Sequence, residues 1–272
     1  MEKLFLNSRI RLAQGLLFWR EAGRGVPIIF VHGAWADSSE WVPAIDNLLD
    51  DYHCFAVDLL GFGESETENI NHAIDIHVET LAELLTKLKL EKVYLVGHSL
   101  GGWIAASFTL KYPEMIHGLV LLAPEGVATE GVDKNWKDMQ KILKRSDFMF
   151  SLLKWLRPIL SIFGLDSKVD QEWKLRKKIE PFPVSCQLLF QRREAEIEAE
   201  LLQNRLYSIE CPVLILQGGK DSPEAITSSQ TYAQLISNAL FKMIAHGSDN
   251  LPETCTGVVA GEIRDFIRGE YE

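Results

Sequence analysis

The sequence predicts an α/β protein with a mostly parallel central sheet, helices on both faces of that sheet and a helical insertion. Two features indicate this class. Short, nearly continuous apolar runs such as Val26–Val31 are typical of strands buried on both faces, and segments with apolar residues at helical spacing lie between them. Strands that alternate with helices are joined by right-handed crossovers, which make the strands parallel.

The length and composition suit one large domain or two small ones. Of the 272 residues, 47% are hydrophobic, which is enough for a sizeable core. The formal net charge of -10 argues against a nucleic-acid partner, because phosphates attract clustered lysine and arginine. No apolar run reaches the length that a membrane span needs. We therefore expect neither a nucleic-acid partner nor a membrane span.

The cysteines and the N-terminus favour a reducing compartment. The four cysteines show no C-x-x-C spacing, and three of them lie in apolar runs, as is typical of buried free thiols. They are Cys54, Cys186, Cys211 and Cys255. Residues 1–15 lack both an uninterrupted apolar stretch and a signal-peptide cleavage site. We expect a cytoplasmic protein; the oligomeric state does not follow from the sequence.

The first half of the chain alternates strands and helices. The expected strands are 15–22, 26–31, 53–58, 93–96 and 118–123. Ser38 or Ser39 is expected to cap a first helix. Its apolar face carries Trp41, Ile45, Leu48 and Leu49. A second amphipathic helix carries Ile74, Val78, Leu81, Leu85 and Leu88.

The alternation stops between residues 127 and 210. This segment has helical patterns and no convincing strand. Its most apolar part, residues 147–165, has a polar stripe too narrow for a helix on the surface, and Pro158 should kink or divide it. A charged helix is expected at 172–179 and a longer helix at 185–206.

The alternation resumes after residue 210. The expected elements are a strand at 212–217, a helix at 224–236, a strand at 239–244 and a C-terminal helix with Ile263, Phe266 and Ile267. We therefore expect a core domain of residues 1–126 and 211–272, interrupted by a helical cap at 127–210.

The strongest local motif is Gly97-His98-Ser99-Leu100-Gly101, which matches G-x-S-x-G between a strand and a helix. So sharp a turn, here called the elbow (residues 97–101), strains its central residue and leaves no room for bulk two positions away. The Ser99 hydroxyl is thereby exposed, and the Leu100 amide lies at a helix N-terminus, where an anion is stabilised. The pattern predicts Ser99 as a nucleophile.

A serine nucleophile needs a nearby base, and the base needs an acid to orient it. In a parallel sheet such residues gather at the carboxyl ends of the strands. His246 and Asp221 each follow an expected strand, which gives the order Ser, Asp, His along the chain. Glu125 also follows a strand and is the alternative acid. We favour Asp221 because the glycines before it let its turn approach closely.

The loop after the strand at 26–31 is the candidate for a second oxyanion donor. The Ala34 amide would pair with the Leu100 amide there. His98, with His32, lies at the same edge and is suited to lining the pocket or bracing this loop. Trp35, His98 and Trp103 are the candidate substrate-binding side chains.

Together these motifs resemble the α/β-hydrolase superfamily, and within it the cap-bearing, esterase-like branch. The motifs are HGAW at 32–35, DLLGFGES at 58–65, GHSLGG at 97–102, GGKD at 218–221 and the late His246. The resemblance implies the α/β-hydrolase fold, a Ser99–His246–Asp221 triad, an Ala34/Leu100 oxyanion hole, a cap over the active site and no cofactor or metal. One departure is Ala245, where the family usually has glycine before the base.

The leading hypothesis is a serine carboxylesterase that hydrolyses a small to medium apolar ester through an acyl-enzyme. The apolar residues of 147–165 favour an apolar substrate if some of them roof the pocket. Two alternatives stay open. One is carbon–carbon bond hydrolysis, elimination or acyl transfer on the same triad, and the other is a non-catalytic ligand receptor on a hydrolase scaffold.

Overall fold

A computed structural model describes residues 4–67, 70–128, 139–143, 149, 155 and 166–270. In this part of the chain, nine strands form one sheet. They are β1 (Leu6–Leu12), β2 (Gly15–Gly23), β3 (Val26–Val31), β4 (Tyr52–Val57), β5 (Glu66–Thr67), β6 (Val93–His98), β7 (Ile116–Leu122), β8 (Val213–Gly218) and β9 (Ala239–Ile244).

The sheet order is β1-β2-β4-β3-β6-β7-β8-β9, and β5 pairs with β2. Neighbours from β4 to β9 are parallel, whereas β2 pairs antiparallel with β1, β4 and β5. The predicted fold class, a mostly parallel sheet flanked by helices, is confirmed. Because the parallel strands all end at one edge, the loops after β3, β6, β7, β8 and β9 meet there.

The helices of the described part range from 4 to 15 residues. They are α1 (Val42–Ile45), α2 (Ile74–Leu88), α3 (Leu100–Lys111), α4 (Asp166–Ile179), α5 (Pro183–Cys186), α6 (Glu194–Glu200), α7 (Pro223–Leu235), α8 (Leu251–Thr254) and α9 (Thr256–Arg268). Single 3-10 turns occupy Ser38–Trp41, Pro113–Met115 and Leu206–Ser208, and a π turn occupies Gln187–Gln191. Among the described residues, no helix has the length and apolarity that crossing a bilayer requires.

The chain divides into two compact units. The first comprises residues Met1–Thr129 and Glu198–Glu272 and contains the whole sheet; the second comprises Glu130–Ile197. The described part of the second unit is helical and includes α4 and α5. The apolar run at 147–165 and Pro158 lie outside the described residues, apart from Met149 and Trp155, which are exposed.

Two local expectations were wrong, and one strand was not expected. Strand β1 was not predicted, because its residues alternate between polar and apolar at the edge of the sheet and form no apolar run. The cap of the first helical turn is Asp37 rather than Ser38 or Ser39, since its carboxylate accepts from the Ser39 amide at 2.8 Å. The helix expected at 185–206 is broken at Arg192, whose backbone is extended.

The core lies on both faces of the central strands. Residues 28–31 of β3 are fully buried, as their continuous apolar run predicts. Helix α3 covers one face and places Ala105 and Ala106 in the interior. On the other face, Ile263 and Phe266 of α9 join the cluster around Trp41. This packing holds the strand ends that carry the candidate site.

Candidate active site

Ser99 lies between β6 and α3 in a strained backbone conformation, with φ 51° and ψ -115°. Its amide donates to the Leu122 carbonyl at 2.9 Å, and its carbonyl accepts from the Trp103 amide at 3.2 Å. Such strain costs about 1–3 kcal/mol and persists where neighbouring bonds fix the backbone. The Ser99 side chain is therefore held out of the helix and is half-exposed.

The two glycines of the motif are required by close backbone contacts. A Cβ on Gly97 would lie 2.3 Å from the Gly101 carbonyl oxygen, and a Cβ on Gly101 would lie 2.3 Å from the Val31 carbonyl oxygen. No side chain fits at these distances. The steric argument made from the spacing therefore holds at both positions.

The Ser99 hydroxyl donates a hydrogen bond to Glu125, with 2.9 Å between Oγ and Oε1. Glu125 follows β7, and its own amide donates to the Ser99 carbonyl at 3.2 Å. Burial raises the pKa of the Glu125 carboxyl, although the bond from Ser99 and the charge of His98 act in the opposite direction. The alternative acid of the sequence analysis is thus in direct contact with the candidate nucleophile.

Asp221 and His246 lie at the same edge of the sheet, after β8 and β9. Asp221 accepts from the Gln217 side chain at 3.0 Å and from the Ser222 amide at 2.7 Å. His246 is exposed. Within the described part of the chain, no hydrogen bond joins His246 to Ser99 or to Asp221, so the triad stays a prediction.

The expected oxyanion loop follows β3 and is fixed by two side chains. His32 accepts from the Leu59 amide through Nε2 at 3.0 Å, so its Nδ1 carries the proton and donates to the Gly33 carbonyl at 2.8 Å. Glu40 accepts from the Gly33 amide at 2.9 Å. Ala34 is buried in this loop, and Leu100 is buried at the start of α3. Their pairing in an oxyanion hole stays a prediction.

His98 points into the protein. Its Nδ1 lies 3.3 Å from Glu40 Oε2, and its Nε2 lies 2.8 Å from the Asp249 carbonyl. Burial alone would lower the pKa of His98, but the Glu40 carboxylate and the Asp249 carbonyl raise it above its ordinary value. Both ring nitrogens face acceptors, an arrangement that favours the imidazolium form of His98. It was expected to bind substrate, yet neither ring nitrogen is left for one.

The two tryptophans of the expected pocket differ in their surroundings. Trp103 is fully buried in α3 and donates through Nε1 to the Glu200 carbonyl at 3.2 Å. Trp35 is half-buried in the oxyanion loop. Trp35 is therefore the more accessible of the two to a ligand, while the Trp103 indole packs beneath Gly126.

Glu40 is a residue of this site that the sequence reasoning missed. It is 3% exposed and bonds both Gly33 and His98. One signal was present, namely a carboxylate next to Trp41 on the apolar face of the first helical turn. The described residues contain no group of three or more His, Cys, Asp or Glu side chains placed to hold a metal ion.

Comparison with known proteins gives relatives with several activities. The chain is 32% identical over 134 residues to the 1-acylglycerol-3-phosphate O-acyltransferase ABHD5 of Rattus norvegicus, covering 45% of this chain and 37% of that protein. It is 32% identical over 126 residues to the 2-hydroxy-6-oxo-2,4-heptadienoate hydrolase of Pseudomonas putida, covering 43% and 45%. These matches span less than half of each relative's length.

Solved structures resemble nearly the whole chain. The meta-cleavage product hydrolase CumD of Pseudomonas fluorescens superposes with a TM-score of 0.73 at 23% identity, covering 97% of this chain and 98% of that one. The serine hydrolase CCSP0084 of Cycloclasticus superposes with a TM-score of 0.76 at 23% identity, covering 99% and 100%. At this identity the likeness shows the fold alone. Since the model of the alpha/beta hydrolase fold family matches residues 26–254, this chain belongs to that family.

Proposed function

We propose that the protein is a serine carboxylesterase that acts through an acyl-enzyme on a small to medium apolar ester. The observation that carries this proposal is the strained backbone of Ser99, with φ 51° and a half-exposed hydroxyl. A structure stores such strain where it presents a side chain to a ligand. Ser99 sits where the carboxyl ends of the parallel strands meet, which is where ligands bind in open α/β sheets.

The proposed reaction has two halves. Ser99 Oγ attacks the ester carbonyl carbon while His246 takes the hydroxyl proton, and the amides of Ala34 and Leu100 stabilise the oxyanion. The carbon–oxygen bond then breaks, and the alcohol leaves with the proton from His246. Water, deprotonated by His246, attacks the acyl-enzyme; the bond from the acyl carbon to Ser99 Oγ breaks, His246 returns the proton to Oγ, and the acid is released.

Asp221 is proposed as the acid that orients His246. Its loop and that of His246 are already tied together, since the Lys220 amide donates to the Gly247 carbonyl at 2.8 Å. The exposed His246 ring is not fixed by packing, so a change of its side-chain rotamer is compatible with the fold. Substrate binding would complete the triad, because catalytic hydrogen bonds often tighten on forming the complex.

The similarity to the Pseudomonas putida hydrolase favours one second candidate, hydrolysis of a carbon–carbon bond next to a ketone. Such a reaction would use the same nucleophile and base. The substrate named for that relative is a carboxylate. The two candidates are separated by offering the purified protein p-nitrophenyl butanoate and a 2-hydroxy-6-oxo-dienoate side by side.

The decisive experiment combines labelling with turnover. A fluorophosphonate probe should label Ser99, and Ser99→Ala should lose labelling and at least about a thousandfold of kcat/KM for p-nitrophenyl butanoate. Ser107→Ala, about two turns further along α3, is the matched control and should keep both. If Ser99→Ala retains most of its turnover, the proposal is wrong. If the protein binds esters without labelling or turnover, the receptor alternative replaces it.

A further inference from the structure

We propose that Glu125 selects substrates by charge, so that the site favours neutral or cationic esters over esters with a carboxylate near the scissile bond. This inference rests on the proposed function and names its substrate class. It starts from one contact, the hydrogen bond of 2.9 Å from Ser99 Oγ to Glu125 Oε1. A substrate that reaches Ser99 must approach this carboxylate as well.

Glu125 is held at this position by the backbone around it. Its amide donates to the Ser99 carbonyl at 3.2 Å, and its carbonyl accepts from the Tyr232 hydroxyl at 2.6 Å. The preceding carbonyl, that of Pro124, accepts from the Ser228 hydroxyl at 2.6 Å. These bonds link the segment to the elbow and to α7. The carboxylate is therefore a fixed part of the site.

The charge of Glu125 is not cancelled by its titratable neighbours. His98 and Tyr232 are the groups that act on it electrostatically from the neighbouring elements. The His98 imidazolium is already paired with the Glu40 carboxylate at 3.3 Å, which makes that pair neutral as a whole. Burial raises the pKa of Tyr232, so its hydroxyl carries no charge. At pH values where Glu125 is ionised, the nucleophile therefore lies beside a net negative charge.

This arrangement has a direct consequence for substrates. A carboxylate about 7 Å from Glu125 would be repelled, and at the intermediate dielectric of a half-buried site the repulsion lowers binding about tenfold or more. A neutral ester of the same length meets no such repulsion. The same charge attracts a cationic acyl group.

The test compares two p-nitrophenyl esters that differ at one end of the acyl chain. The pentanoate ends in a methyl group, and the glutarate monoester ends in a carboxylate. Because both use the same nucleophile and leaving group, the ratio of their kcat/KM values cancels changes common to both. We expect Glu125→Gln to lower the pentanoate-to-glutarate ratio about tenfold. Glu125→Asp, which keeps the charge, should keep the wild-type ratio.

Glu114→Gln is the matched control, since Glu114 is exposed in the 3-10 turn before β7, whereas Glu125 follows the other end of that strand. It should leave the ratio unchanged. A second measurement uses the wild-type protein alone, so it does not depend on whether a variant folds. Because the pKa of Glu125 is raised, its protonation should lower the ratio as the pH falls, at pH values where the glutarate carboxyl, with an ordinary pKa of about 4.3, is still ionised.

A ratio that is the same in wild type and Glu125→Gln, or that does not change with pH in this range, overturns the inference and leaves the proposed function intact. Absence of both turnover and fluorophosphonate labelling in the wild type overturns the proposed function and this inference with it.

Discussion

Glu40 and His98 form a buried ion pair, with 3.3 Å between Oε2 and Nδ1, and this pair connects three loops of the candidate site. Glu40 also accepts from the Gly33 amide in the loop after β3, and His98 contacts the carbonyl of Asp249, three residues after His246. A single pair therefore bridges the turn at Ser99, the loop after β3 and the loop that carries the expected base.

Replacing Glu40 should disturb this geometry. Glu40→Gln keeps an acceptor for Gly33 but removes the charge opposite His98, so we expect kcat/KM for a neutral ester to fall about tenfold or more, with little change in KM. Glu40→Ala leaves a buried imidazolium without its partner and should lower the free energy of unfolding by about 3–5 kcal/mol. Steady-state kinetics and urea titration measure the two effects.

The control for this pair is an exposed one. Glu64 pairs with Arg9 at the surface, and Glu64→Gln should change the free energy of unfolding by about 1 kcal/mol or less. Equal effects of Glu40→Gln and Glu64→Gln on kcat/KM would show that the buried pair does not position the site.

The raised pKa of His98 predicts how stability depends on pH. A histidine whose pKa is higher in the folded state than its ordinary 6.5 contributes stability that is complete below 6.5 and is lost as the pH rises through the folded value. The free energy of unfolding of wild type minus that of His98→Gln should therefore decrease as the pH is raised above about 6.5.

His72 is the matched control, because its contribution to the free energy of unfolding should change with pH in the opposite direction. Burial lowers its pKa below 6.5, so its contribution is present above that pH and is lost as the pH falls. The difference between wild type and His72→Gln should therefore increase with pH. A His98 difference that rises with pH would mean that the histidine is neutral in the folded protein.

The elbow could be predicted from the sequence because its cause is local. The glycines at 97 and 101 and the strained Ser99 follow from a sharp turn between a strand and a helix, and all of its parts lie within a few residues. The parallel strands could be predicted equally well, since strands buried on both faces have continuous apolar runs in the sequence.

The role of His98 could not be predicted, because it depends on a residue 58 positions away. Sequence spacing placed His98 at the correct edge, but the side on which its ring packs is decided by the Glu40 carboxylate. The same holds for Glu125, whose contact with Ser99 results from the pairing of β6 with β7. Such contacts follow from tertiary packing, which a local pattern does not contain.

The two candidate acids of the triad, Asp221 and Glu125, can be distinguished by the effect of their replacement on kcat. If Asp221 orients His246, Asp221→Asn should lower kcat for a neutral ester about a thousandfold or more, because a misoriented imidazole is a poor base. Glu125→Gln should lower it far less, since Glu125 contacts the nucleophile and not the base. The reverse order of effects would move the acid of the triad to Glu125.

The last prediction concerns the length of the acyl chain. The apolar run at 147–165 predicts that the acyl group binds in an apolar pocket, and Trp35 is half-buried in the loop after β3. Each methylene group that such a pocket buries contributes about 0.8 kcal/mol, or about fourfold in kcat/KM, until the pocket is full. We therefore expect kcat/KM to rise from p-nitrophenyl acetate to medium-chain esters and then to fall.

Trp35→Ala tests whether the Trp35 side chain contacts the acyl chain of the substrate. If Trp35 forms a wall of the pocket, its removal should reduce the gain per methylene group while changing the acetate rate little, because acetate is too short to reach the lost surface. Trp103→Phe serves for comparison, since Trp103 is fully buried and should act on stability rather than on the chain-length profile. A wild-type profile that is flat or falls from acetate onward would show that the apolar residues of 147–165 serve packing alone and that the substrate is not an apolar acyl ester.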